Sequence, residues 1–124
     1  MASILIVDDE PRMRELVRRW LTPLGYAVAE AADAETALAM SSESAPAVVL
    51  LDLHMPGGGG DVVLSQMAVD DTLRPIPVVV VTSATPEDNR ADDAVQGRPV
   101  LAKTNLTEAA LSAAIRSARR QESP

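Results

Sequence analysis

Three continuous apolar runs, each followed by polar side chains, dominate the pattern of hydrophobic and polar positions along the chain. They span residues 4–7, 47–51 and 78–81 and consist almost entirely of Val, Ile and Leu. Apolar runs of this length are typical of strands that are buried on both faces of a parallel sheet. Shorter runs at residues 26–30 and 98–103 bring the number of predicted strands to five.

An amphipathic helix is predicted after the first strand. Apolar residues recur there at three- and four-residue spacing: Met13, Leu16, Val17, Trp20, Leu21 and Leu24. Pro11 suits the first helical turn, Asp9 or Glu10 can cap it, and Gly25 follows as a stop. The opposite face carries several arginines: Arg12, Arg14, Arg18 and Arg19. We expect them to be solvated helix charges, with a partner-docking patch as the alternative.

Four more helical segments are predicted between and after the later strands. They cover residues 34–42, 61–69, 85–97 and 107–120, and Asp33 is a plausible cap for the first of these. The segment at 85–97 has little to bury, so we expect it to open most easily. Five strands that alternate with five helices imply right-handed crossovers and a doubly wound α/β fold, with a parallel sheet covered on both sides.

Composition narrows the class of protein. The 124 residues, of which 47% are hydrophobic, suit a single domain, which we assign to residues 1–121 with a tail at 122–124. The formal charge of −7 repels nucleic acid and anionic lipid, and the chain has no Phe for stacking on bases. No stretch approaches the roughly 18 apolar residues of a membrane helix, and no secretory signal is evident. We therefore expect a cytoplasmic protein that binds neither nucleic acid nor membrane directly.

Several kinds of chemistry are excluded by residue counts. The chain has no cysteine, which rules out disulfides, thiol catalysis and thiolate metal sites. Its single histidine, His54, cannot build a multi-histidine metal site. The glycines at 57–60 are not followed by the Lys and Ser/Thr of a phosphate-binding P-loop.

Polar residues that follow the predicted strands would converge on one edge of the sheet. They are Asp8, Asp9, Asp52, Thr82 and Lys103. Ligands of open α/β sheets bind in the crevice beyond the carboxyl ends of the strands. Clustered carboxylates repel one another unless a hard cation such as Mg²⁺ neutralises them. In such a site Asp52 can act as a nucleophile that forms an aspartyl phosphate, while Lys103 and Thr82 contact the phosphoryl oxygens.

Each of these residues also has an ordinary structural explanation when it is taken alone. Asp8 and Asp9 could cap a helix, Asp52 could form a turn, and Thr82 could be β-branched strand filling. The combination at successive strand ends favours the functional interpretation.

Four motifs in this order resemble the receiver domain of two-component response regulators. They are Ile-Val-Asp8-Asp9-Glu-Pro, Leu-Leu-Asp52-Leu-His-Met-Pro56-Gly, Val-Val-Thr82-Ser and Leu-Ala-Lys103. The resemblance implies a flavodoxin-like five-stranded sheet in the order 2-1-3-4-5. It also implies that Asp52 is the phosphoacceptor, that Thr82 is the switch hydroxyl and that Lys103 contacts the phosphoryl group.

The resemblance further implies a metal site and a set of partners. Asp9, Asp52 and the backbone carbonyl of His54 would bind Mg²⁺, and Asp8 would join through a water. A histidine kinase or phosphotransfer protein would be the donor, a downstream protein or output domain would respond, and a homodimer could form. The activity would be autocatalytic phosphotransfer with slow self-dephosphorylation and not that of a metabolic enzyme.

The chain departs from the family pattern at several positions. Val100 replaces an aromatic residue, which puts aromatic-coupled output in doubt. Thr104 follows Lys103 where the family has a cis proline, so we expect either a trans bond with a shifted lysine or a strained cis bond. Gly59 replaces an Asp or Asn, and we expect a more mobile loop there. His54 could tune hydrolysis, although an exposed loop side chain is the simpler expectation.

Two other function classes remain to be weighed. The departures leave room for a degenerate receiver that binds partners without phosphorylation. A haloacid-dehalogenase-type phosphatase also uses an Asp at a strand end, but that family needs a second Asp two residues later. This chain has His54 at that position, which argues against the phosphatase.

Overall fold

The computed structural model describes residues 2–55, 59–83 and 98–122. Within them, five strands alternate with four helices in the order β1 (Ser3–Val7), α1 (Pro11–Leu21), β2 (Ala27–Ala31), α2 (Ala34–Glu43), β3 (Val48–Leu51), α3 (Gly60–Val69), β4 (Val78–Thr82), β5 (Val100–Ala102) and α4 (Glu108–Glu122). The helix predicted at 85–97 lies outside the described residues. None of the described helices has the length and apolar character needed to cross a membrane.

The strands form one parallel sheet in the order β2-β1-β3-β4-β5. The central pairs are in close register, with Leu5 opposite Val49 and Leu51 opposite Val80. The predicted doubly wound, flavodoxin-like sheet and its strand order are confirmed. Apart from the end of α1, the boundaries of the described elements lie within about two residues of the predicted ones, which is the usual uncertainty of such assignments.

Two apolar clusters cover the two faces of the sheet because side chains alternate along each strand. On one face Leu5, Val49 and Val80 pack with the buried residues of α2 and α3. On the other face Ile4 and Ile6 pack with the buried residues of α1 and α4. The strands β1, β3 and β4 are therefore enclosed on both sides, as their unbroken apolar runs predict.

The first helix differs from the sequence prediction at two positions. Leu16 and Leu24 were predicted to share its buried face, but both are exposed. The α-helix ends at Leu21, and residues Thr22–Leu24 form a 3₁₀ turn instead. Pro23 explains this early end, since proline lacks an N–H donor and clashes with the preceding helical turn. Gly25 then reverses the chain with a left-handed φ of 95°.

The predicted cap of α2 is confirmed. Asp33 caps α2, where its Oδ1 accepts a hydrogen bond of 2.8 Å from the Thr36 N–H. The apolar face of the last helix is buried through Leu111, Ile115 and Ala118.

Candidate functional site

The predicted site residues lie together at the carboxyl edge of the sheet. Asp8 follows β1, Asp52 follows β3, Thr82 is the last residue of β4 and Lys103 follows β5. These four strands are neighbours in the sheet, so parallel pairing alone brings their ends side by side. Asp8, Asp52 and Thr82 are all buried.

Three carboxylates form what we call the acidic cluster: Asp8, Asp9 and Asp52. One oxygen of each lies within 4.8 Å of the others. Asp8 and Asp52 are buried, whereas Asp9 is half-buried. Burial raises the pKa of Asp8 above its ordinary value, although hydrogen bonds from the Glu10 N–H and Lys103 oppose the shift. The cluster therefore concentrates negative charge in a place where its solvation is poor.

Lys103 is shared among three carboxylates. Its Nζ lies 2.9 Å from Asp8 Oδ2, 3.1 Å from Asp52 Oδ2 and 2.8 Å from Glu10 Oε1. Burial opposes the charged amine, but the hydrogen bonds with Glu10 and Asp8 outweigh it and raise the pKa of Lys103 above its ordinary value. Lys103 therefore stays a fixed cation, with a side chain that is only 8% exposed.

The peptide bond after Lys103 is trans. Lys103 also begins a short 3₁₀ turn, Lys103–Asn105, directly after β5. Of the two arrangements expected for a lysine followed by Thr104, the trans bond is the one observed. The lysine nevertheless reaches both Asp8 and Asp52, so the absence of proline does not remove its ammonium group from the site.

Backbone N–H groups hold the remaining oxygens of the two buried carboxylates. The His54 N–H donates to Asp52 Oδ1 at 3.0 Å, and the Glu10 N–H donates to Asp8 Oδ1 at 2.9 Å. Each carboxylate thus has one oxygen fixed by the backbone and the other facing Lys103. The His54 side chain is exposed, as expected for a loop residue. Its carbonyl as a metal ligand stays a prediction.

Glu10 has a different role from the helix cap that was predicted. It occupies the N-cap position of α1, but its side chain makes no capping hydrogen bond. Its carboxylate extends to Lys103 instead and is 59% exposed. The attraction of a nearly buried cation explains this, since an ammonium group carries a full positive charge and a capping N–H only a partial one. Sequence reasoning missed this contact because 93 residues separate the partners.

Gly60 is a second residue that sequence reasoning missed. It begins α3 and is buried, and a Cβ at this position would collide with the Asp52 carbonyl oxygen and Leu53 Cα. Only glycine lets the first turn of α3 lie directly against the backbone that carries Asp52. Gly60 therefore belongs to α3, and the mobility expected of the loop at Gly59 stays a prediction. Gly57 and Gly58 lie outside the described residues. The run of four glycines was the available signal.

Arg12 and Arg19 of α1 are exposed, as predicted for solvated charges, but Arg14 and Arg18 are engaged in ion pairs. Arg14 Nε lies 2.9 Å from Glu30 Oε1, and Arg18 Nη2 lies 2.7 Å from Glu30 Oε2. Glu30 belongs to β2, so these bonds tie the helix to the neighbouring strand. Although burial opposes it, the hydrogen bonds from Arg18 and Arg14 lower the pKa of Glu30. We call Arg14, Arg18 and Glu30 the arginine cluster.

The family model for the response regulator receiver domain matches residues 4–116. The chain belongs to this family. The receiver domain is 35% identical over 116 residues to the response regulator PleD of Caulobacter vibrioides, an alignment that covers 94% of this chain and 26% of PleD. The chain thus spans only part of the curated relative that it matches.

Solved structures agree with this assignment. The receiver domain resembles the chemotaxis protein CheY4 of Vibrio cholerae, with a TM-score of 0.84 and 28% identity over 95% of this chain and 98% of CheY4. It also resembles the response regulator TrrA of Thermotoga maritima, solved in complex with Mg(2+)-BeF, with a TM-score of 0.82 and 26% identity over 94% and 98% of the two chains. Receiver domains are signalling domains, so the chain is placed in phosphorylation-dependent signalling.

The donor set of the acidic cluster fits a hard divalent cation. All three side chains offer oxygen, the ligand atom that Mg²⁺ prefers, and they come from two different strand ends. Three carboxylates share the ammonium group of Lys103, and Asp9 adds a further negative charge to the acidic cluster. The chemistry of the residues therefore leaves an excess of negative charge that a cation would balance.

Proposed function

We propose that this receiver domain is a phosphorylation-dependent switch in which Asp52 accepts a phosphoryl group from a histidine kinase or phosphotransfer protein. One observation carries the proposal. The Asp52 carboxylate is buried at the sheet edge, held by the His54 N–H and Lys103, and lies beside two further aspartates. A turn-forming or capping aspartate would not need a buried cation on its second oxygen.

The transfer would be a direct displacement at phosphorus. An Asp52 oxygen forms a bond to phosphorus as the bond from phosphorus to the donor histidine nitrogen breaks, and that nitrogen keeps the electron pair. The ammonium group of Lys103 would stabilise the negative charge on the phosphoryl oxygens, and the Thr82 hydroxyl would donate a hydrogen bond to one of them. The departing imidazole and the incoming carboxylate exchange one phosphoryl group, so the chain acts as a switch and not as a metabolic enzyme.

Asp8, Asp9, Asp52 and the His54 carbonyl would hold Mg²⁺. When bound, Mg²⁺ would neutralise the acidic cluster and so allow an anionic donor to approach. The Mg(2+)-BeF complex of TrrA supports this assignment, because TrrA shares the fold and 26% of its sequence with this chain. The phosphoryl group would then shift a two-state equilibrium that controls a downstream protein or output domain.

The test is intact-mass detection of phosphorylation by acetyl phosphate, with and without Mg²⁺. We expect the wild type to gain one phosphoryl group only with Mg²⁺, and Asp52→Asn to gain none. Asp61→Asn is the matched control, since Asp61 is an exposed aspartate in the first turn of α3. It should be phosphorylated like the wild type.

Absence of phosphorylation would contradict the proposal. If folded wild type gains no phosphoryl group from acetyl phosphate or from a phosphohistidine donor, the switch proposal is wrong. A phosphorylation-independent binding module would then be the better account of the chain.

A further inference from the structure

Arg14 is unusual among the α1 arginines because two of its bonds diverge to different parts of the fold. Its Nε donates to Glu30 in β2, and its Nη1 donates to the backbone oxygen of Asp8 at 2.7 Å. Its side chain is 18% exposed, compared with 75% for Arg19 on the same helix. A solvated helix charge would have neither the burial nor the two anchors.

The orientation of the Asp8 carbonyl affects the geometry of the acidic cluster. The Asp8 N–H is held by the Ala31 oxygen at 3.1 Å, which continues the pairing of β1 with β2. Its carboxylate is held by Glu10 and Lys103. The carbonyl belongs to the peptide that joins Asp8 to Asp9, so its direction helps set where both carboxylates point.

We infer that Arg14 is a positioning residue of the receiver domain, which holds the Asp8–Asp9 peptide so that both carboxylates stay beside Asp52. Glu30 in turn holds the guanidinium of Arg14. The inference rests on the proposed function where it concerns Mg²⁺. The contact itself does not depend on a metal.

Arginine is needed here for its shape. The rigid guanidinium presents N–H groups in two directions, so one side chain can serve Glu30 and the Asp8 carbonyl together. A lysine keeps the charge but has a single ammonium on a flexible stem. The change Arg14→Lys therefore removes the bridge while the charge beside the acidic cluster is retained.

Arg18 supplies a matched control. It also binds Glu30, with Nε at 2.8 Å from Oε2, and it donates to the Val28 oxygen at 3.3 Å. Both of these contacts are with β2. The change Arg18→Lys alters the same ion-pair cluster with the same retention of charge, yet it leaves the Asp8 carbonyl bond in place.

The first measurement is backbone amide hydrogen exchange in the metal-free protein. The Glu10 N–H reports on the site because it donates to Asp8 Oδ1. We expect it to exchange roughly tenfold faster in Arg14→Lys, as when a hydrogen bond to a charged donor is lost, and to be unchanged in Arg18→Lys. Equal exchange in the wild type and in Arg14→Lys would overturn the inference, whether or not Mg²⁺ binds.

The second measurement is the Mg²⁺ dissociation constant, from NMR titration of the same three proteins. Arg14→Lys should raise it about tenfold, the lower end of the range for groups that orient metal ligands, and Arg18→Lys should leave it unchanged. Equal changes in the two variants would show a merely structural role. If the wild type does not bind Mg²⁺, the metal in the proposed function is refuted, and the exchange measurement still decides the role of Arg14.

A folding control completes the design. Urea unfolding of the three proteins shows whether any change in the site follows from lost stability alone. If Arg14→Lys does not fold, Glu30→Gln takes its place, since it weakens the anchor of Arg14 and leaves the arginine itself present. Faster exchange at the Glu10 N–H in that variant supports the inference, and unchanged exchange overturns it.

Discussion

Two charged clusters meet at Asp8, and they are built on opposite principles. In the arginine cluster each oxygen of Glu30 is paired with an arginine, so neither oxygen of that carboxylate lacks a cationic partner. In the acidic cluster, by contrast, Lys103 is shared by Asp8, Asp52 and the neighbouring Glu10. The pKa of Glu30 is lowered by its partners, whereas burial raises the pKa of Asp8.

This difference suits the arginine cluster to stabilising the fold and the acidic cluster to binding and chemistry. A cluster with matched partners stabilises the fold and has nothing left to bind. A buried cluster with too few cations is unfavourable by itself and gains from a divalent ion or a change in charge, which is typical of functional sites. Arg14 joins the fully paired arginine cluster to the acidic cluster through its bond to the Asp8 carbonyl oxygen.

Removal of Lys103 should produce the largest change, because it takes away the ammonium group that contacts both Asp8 and Asp52. In Lys103→Met we expect the rate of phosphorylation by acetyl phosphate to fall about 100-fold, the usual cost of losing one group that stabilises a developing charge. Mg²⁺ should bind more tightly, since Lys103 no longer competes for Asp8 and Asp52. The measurement is the phosphorylation rate as a function of Mg²⁺ concentration.

The control for this variant is Arg74→Met, which removes a cation bound to the exposed Asp71 at 2.8 Å. It should leave both the rate and the Mg²⁺ affinity unchanged. A wild-type rate in Lys103→Met would contradict the role assigned to the lysine.

Removal of the negative charge of Asp8 should have an intermediate effect. It should make the metal-free protein more stable but weaken its binding of Mg²⁺. Because burial raises the pKa of Asp8, its charged form opposes folding at neutral pH. We therefore expect Asp8→Asn to stabilise the metal-free protein against unfolding. The same change removes a metal ligand of the acidic cluster and should weaken Mg²⁺ binding about tenfold. Urea unfolding and metal titration measure the two effects.

Asp9→Asn is the matched variant for Asp8→Asn. Asp9 belongs to the same cluster but is half-buried, so its neutralisation should weaken Mg²⁺ binding with a smaller gain in stability. If Asp8→Asn destabilised the protein, the contrast between the two clusters would be wrong, since Asp8 would then be as well compensated as Glu30.

The sheet and the acidic cluster were predictable from sequence because both depend on simple, repeated patterns. Unbroken Val, Ile and Leu runs identify strands that are buried on both faces, as β3 and β4 are. Parallel pairing then brings the residues after each strand to one edge, which places Asp8, Asp52 and Lys103 together without further information.

The arginine cluster was not predictable in the same way. A helical pattern shows which face Arg14 occupies, but it does not show that Glu30 lies opposite on β2. Long side chains can bind partners that are distant in sequence. Glu10 likewise binds Lys103 and does not cap the N-terminus of α1 beside it. Leu16 was placed in the core by its spacing, yet three-dimensional packing leaves it exposed.

The smallest predicted effect is the contribution of the arginine cluster to stability and its dependence on pH. We expect Glu30→Gln to lose about 0.5 to 1 kcal/mol of stability at pH 7, the range for partly exposed ion pairs. Although burial opposes it, the bonds from Arg18 and Arg14 lower the folded-state pKa of Glu30 below its ordinary value of 4.5. The stability that Glu30 supplies is therefore present above pH 4.5 and is lost as the pH falls through that lowered value.

The measurement of this effect is the difference in unfolding free energy between the wild type and Glu30→Gln across that pH range. The other titrating groups are shared by the two proteins, so their contributions largely cancel in the difference. Glu15→Gln is the control, because Glu15 pairs with Arg19 at 3.3 Å on the exposed face of α1 and should contribute less. A difference that persisted unchanged below the lowered pKa would mean that Glu30 acts through packing. The contrast with the acidic cluster would then no longer rest on charge.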